Sequence, residues 1–104
     1  MTEQALRAWM MERRLSIKEG TTTERIDAVA KVIRNVLPRK SVSDRTCHRR
    51  VIEWIEKKIE SGQWTAVELL PRLVDAVLEA SGPTIRNPNA VFMVILKKEL
   101  RYPN

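Results

Sequence analysis

Thr21-Thr-Thr-Glu-Arg-Ile-Asp-Ala-Val-Ala-Lys-Val-Ile-Arg-Asn-Val-Leu-Pro38 settles the class of fold. Thr21 and Glu24 stand in capping-box spacing, in which each side chain can satisfy the other's orphan backbone N–H at a helix start. Ile26, Val29, Ala30, Ile33, Val36 and Leu37 then recur at helical spacing on one stripe, and Pro38 ends the run.

The same punctuation extends outward in both directions. Upstream, residues 3–17 predict a helix carrying Leu6, Trp9, Met10 and Ile17 on one side and stopping before Gly20. Downstream, a third helix is predicted from Ser43 or Asp44 to Ser61, with Gly62 as a left-handed terminator and Cys47, Val51, Trp54, Ile55 and Ile59 on one face. A fourth opens at the Thr65–Glu68 capping box, with Trp64 and Leu69 spaced as a hydrophobic staple. Leu70, Leu73, Val74, Val77 and Leu78 form its stripe, and Ser81-Gly82-Pro83 closes it. Pro71 leaves two readings, a kink within the helix or a later helix start.

Asn87-Pro88 caps a fifth helix. Its run Ala90–Leu96 is apolar all round, which predicts a central helix buried on every side. A buried strand is the rival reading for this β-branched stretch, but no second strand exists to pair with it. The expectation is a single all-α domain over residues 1–104, a bundle of about five helices.

The chain's 104 residues, 43% hydrophobic and 31% charged, are those of a globular protein and not a disordered one. No run of 18 apolar residues is present, so no membrane partner is expected. A single cysteine excludes an internal disulfide and fits a reducing cytoplasm.

The charge is concentrated. Residues 39–50 hold Arg39, Lys40, Arg45, Arg49 and Arg50 against Asp44 alone, net +4 of the chain's +6. The other 92 residues carry 14 cations and 12 anions, close to balance. A focused charge attracts polyanions, and this one lies at a helix N-terminus, where the macrodipole makes cations mildly unfavourable. The segment therefore predicts nucleic-acid binding, with duplex DNA as the partner. Arg45, Arg49 and Arg50 are the principal phosphate contacts, and Arg39, Lys40 and Thr46 assist.

With the helix before Pro38 as support, Pro38–Val42 as turn and the next helix as reader, the pattern suits a helix-turn-helix-like pair. The five-residue turn lacks the glycine often found there. The plainer reading is a solvated face, since Arg49–Glu53 and Glu53–Lys57 are ordinary i,i+4 pairs. A second functional class is a non-catalytic adaptor whose basic patch docks an acidic protein, and a homodimer using Trp9, Met10 and Met11 is compatible with either.

Chemistry is not expected. Cys47 and His48 are adjacent, but helical neighbours point about 100° apart and cannot pair as nucleophile and base. One Cys and one His cannot build a zinc site alone, and no phosphate-binding glycine motif or nucleophile elbow occurs, so no cofactor, metal or small-molecule substrate is expected. His48 reads as a packed or edge histidine. Trp9, Trp54 and Trp64 read as core anchors, leaving Tyr102 as the one aromatic free to stack.

The stretch Ile85-Arg-Asn-Pro-Asn-Ala-Val-Phe-Met-Val-Ile-Leu-Lys-Lys-Glu-Leu100 resembles segments of phage- and plasmid-type replication accessory proteins, in which an Asn-Pro-x-Ala cap opens a helix ending in Leu-Lys-Lys-Glu-like residues. The resemblance covers 16 of the 104 residues and implies a role near DNA replication or a mobile element. It carries over no functional residue.

Overall fold

The computed structural model describes residues 20–104, with Ala8 ahead of them, and is all-helical there. The helix expected over residues 3–17 lies outside the described residues. Four helices follow: α1 (Thr22–Val36), α2 (Val42–Glu60), α3 (Ala66–Ala80) and α4 (Pro88–Glu99). Four of the about five expected helices thus lie among the described residues.

Each helix starts on a side-chain cap. Thr21 Oγ1 accepts from the Glu24 amide at 3.2 Å, Thr65 Oγ1 from Glu68 at 3.2 Å, and Asn87 Oδ1 from Ala90 at 3.2 Å. The start of α2 is earlier than expected. Ser41 Oγ accepts from the Asp44 amide at 3.1 Å, while Asp44 Oδ2 accepts from the Lys40 amide at 3.2 Å. This cap, with the Asp44 carboxylate reaching back to the residue before Ser41, brings Val42 and Ser43 into the helix and leaves Leu37–Ser41 as the turn, instead of Pro38–Val42. Gly62 takes φ +78° just past α2, as its expected role as terminator requires. Pro71 lies inside α3, which begins at Ala66.

The expectation that the last helix would be central is overturned. α3 occupies that place, burying Ala66, Leu69, Leu70, Leu73, Val74, Ala76, Val77 and Ala80 and packing against both α1 and α4. α4 buries only Phe92 and Leu96; Ala90 is exposed and Val94 is 61% exposed. An apolar circumference says that a helix can be buried all round, but only neighbouring elements can cover it.

α1 sits between α2 and α3, contributing Val29, Ala30, Val32 and Ile33 to the core. α2 contributes Val51, Ile52, Trp54 and Ile55. Trp64 is half-buried, with the Arg72 guanidinium 5.5 Å from its ring centre. Tyr102 is not free: it meets Trp54 edge-to-face at 5.3 Å, and the Trp54 indole N–H reaches the Asn104 carbonyl at 3.4 Å. The C-terminal residues thereby fold back over α2.

Candidate nucleic-acid interface

The α1–α2 turn is held from across the chain by one asparagine. Asn89, in the first turn of α4, donates from Nδ2 to the Pro38 carbonyl at 2.9 Å. Its Oδ1 lies 2.7 Å from His48 Nε2. The Pro38 carbonyl can only accept, so Asn89 must turn its amide nitrogen toward it and its oxygen toward His48. His48 Nε2 therefore carries a proton and donates it to Asn89. The histidine, 1% exposed, is a packed residue as its place on the apolar arc suggested, and it also pins the basic turn to α4. Its Nδ1 is buried and without a partner.

Around this pinned turn the cations divide into two groups. Arg39, Arg45, Thr46 and Arg49 line one cleft of about 320 Å³, together with Val42, His48 and Arg34 from the last turn of α1. Arg50 faces a second groove of about 680 Å³ on the other side of α2, lined also by Cys47, Met93, Lys97 and Tyr102; Thr46 and Val42 border both. Lys40 is exposed in the turn. The structure thus brings four of the six expected site residues together and sets Arg50 and Lys40 apart from them.

All five cations are exposed, and Thr46 is half-buried. Arg49 lies 4.0 Å from Glu53, a marginal, solvent-screened pair that leaves the guanidinium available. Three participants escaped sequence reading. Arg34 reads as the ordinary polar face of an amphipathic helix, and only the turn brings it beside Arg39. His48 reads as mere filler. Val42, 75% exposed between the two grooves, was placed in the turn, although Ser41-Val-Ser-Asp44 carried the signal for an earlier helix start.

Cys47 is half-buried, and its thiol is pushed above the ordinary 9.0 by burial and then by Asp44, with Lys97 and Arg50 opposing. Burial, and a smaller effect from Cys47, likewise raise the Tyr102 phenol above 10.0, against Arg50. Both groups hold their protons more tightly folded than unfolded. Above the unfolded values the native state binds more protons, so stability falls as pH rises. Thermal melts should show full stability up to about pH 9 and a decline beyond it, and Cys47→Ser should make that decline shallower. An identical alkaline decline in the serine variant would remove Cys47 from this account.

Among the described residues no three His, Cys, Asp or Glu side chains gather as metal ligands would, and no helix is long and apolar enough to cross a membrane. No family model, curated protein or solved structure matches the chain.

Proposed function

We propose that this protein binds duplex DNA through the α1–α2 turn and the first two turns of α2, chiefly by phosphate contacts. The observation that carries the reading is the convergence of Arg34, Arg39, Arg45 and Arg49 on one cleft above an internally braced turn. Guanidinium groups suit the planar, bidentate capture of phosphate oxygens. A braced turn holds them in place before the ligand arrives, lowering the ordering cost of binding.

The α1–turn–α2 order suits a helix-turn-helix-like reader, with α2 directed toward the major groove. Val42 then supplies an exposed apolar contact of the kind that meets a thymine methyl group, beside Thr46 and Arg45. Arg50 and Lys97, on the far side of α2, suit phosphates across the groove. Binding needs no catalytic group and no cofactor. The likeness of residues 85–100 to replication accessory proteins accords with a partner of this kind.

Fluorescence anisotropy of a labelled random duplex at several salt concentrations tests the proposal. Micromolar affinity whose logarithm falls linearly with log[salt], at a slope implying several phosphates, is the expected result. Absence of binding at low salt would overturn it and bring forward a protein partner. One observation favours that second reading: the outer side of α4 presents Ala90, Val91, Val94 and Ile95 along an open groove of about 390 Å³, rimmed by Glu79, Lys98 and Glu99. A protein docking there, or a second copy of this chain, would cover apolar surface that DNA does not need.

A further inference from the structure

We infer that the cleft of Arg34, Arg39, Arg45 and Arg49 is a seat for a single phosphate group, in which Arg34 is a binding residue and buried His48 forms the wall. The inference rests on the DNA reading only for the natural source of that phosphate; the seat itself can be tested without DNA.

Three observations converge on it. The four guanidiniums come from three successive pieces of chain, the last turn of α1, the turn and the first two turns of α2, so they surround a space instead of lining a stripe. At about 320 Å³ the cleft admits a phosphate and its immediate surroundings, and Asp44, the nearest anion in sequence, is engaged at the Lys40 amide. Then there is His48. With Nε2 taken up by Asn89, Nδ1 is the only polar atom this buried ring can offer to the cleft it lines, and that atom has no partner. A buried polar atom left unpaired is destabilising, so a group that satisfies it is favoured there. A phosphate oxygen bearing hydrogen can donate to Nδ1 while its other oxygens accept from the arginines. Cations gathered around an acceptor nitrogen fit such a ligand better than they fit a carboxylate partner, which carries no hydrogen when ionised.

Two sources share the oxyanion that the arginines would hold: a phosphodiester of the duplex backbone, which carries no hydrogen and leaves Nδ1 unmet, and a phosphate monoester, free or at a nucleic-acid end, which can keep a hydrogen and satisfy it. Inorganic phosphate titrated into isotope-labelled protein is the first probe. Saturable shifts are expected at the Nε–Hε groups of Arg34, Arg39, Arg45 and Arg49 and at His48 Nδ1, with Arg72 beside Trp64 unmoved. Arg34→Gln, an exposed change that leaves the core intact, should weaken phosphate binding roughly tenfold. Non-saturating shifts spread over all cations, or a still His48 Nδ1, would overturn the seat. The second probe is a duplex with hydroxyl ends. If Arg34→Gln lowers its affinity and reduces the salt slope by about 1, the seat takes a backbone phosphate. If phosphate saturates the seat but the variant binds duplex as the parent does, the seat stands as a monoester site and the DNA source fails.

Discussion

Arg45→Ala combined with Arg49→Ala is expected to weaken duplex binding about 100-fold or more at moderate salt. Each guanidinium–phosphate contact is a charge-assisted hydrogen bond contributing about 1.5–3 kcal/mol, and two lost together exceed the roughly 2.7 kcal/mol of a hundredfold change. The log–log salt slope should shrink by about 2, since two fewer counterions are released. Both side chains are exposed, and among the described residues their one ion pair is the marginal Arg49–Glu53 contact, so the far-ultraviolet circular dichroism and melting temperature should hardly change. Lys57→Ala with Lys58→Ala, at the other end of the same helix, provides the control and should leave affinity near the parent's. Equal losses in the two double variants would mean that binding follows bulk charge and not the assembled cleft.

The second large effect belongs to Asn89. Asn89→Ala removes the acceptor for buried His48 Nε2–H and the donor to the Pro38 carbonyl in one step. Leaving these groups unpartnered should cost about 2–4 kcal/mol, a large share of the roughly 5–15 kcal/mol that holds a domain of this size together. The melting temperature should fall by about 10 °C or more. Asn89→Asp separates the two bonds: a carboxylate can still accept from His48 but faces the Pro38 carbonyl with an oxygen that cannot donate. It should therefore not recover the stability of the parent. A loss below about 1 kcal/mol in the alanine variant would show that the bridge does not brace the turn.

What could be read from the sequence was local. Thr21–Glu24, Thr65–Glu68 and Asn87-Pro88 act within three or four residues, and each caps the helix it was expected to cap. The stripe of α1 is legible for the same reason, with Val32 the one buried residue outside it. Errors arise where the outcome depends on distant neighbours. The run Ala90–Leu96 carries no mark of the fact that α3, not α4, is flanked on both sides. Tyr102 looks free until the chain turns back onto Trp54, 48 positions earlier. The basic segment was visible as composition, but its division into two grooves was not, because Arg34 joins through a turn and Arg50 points away around the helix. Nothing in His48 or Asn89 announces that they meet, with 41 positions between them.

The Asn89 bridge also fixes an order of assembly. Closing a loop of some fifty residues is entropically slower than pairing neighbouring helices, so α1 and α2 can meet well before their turn is braced. As a chain is synthesised from its N-terminus, every arginine of the cleft is present long before the asparagine that braces their turn has been made. The basic surface is therefore completed only when α4 has emerged, and a nascent or truncated chain ending before α4 would carry the charge without the shape. On the proposed DNA-binding reading, affinity for polyanions would precede selectivity during the life of each molecule.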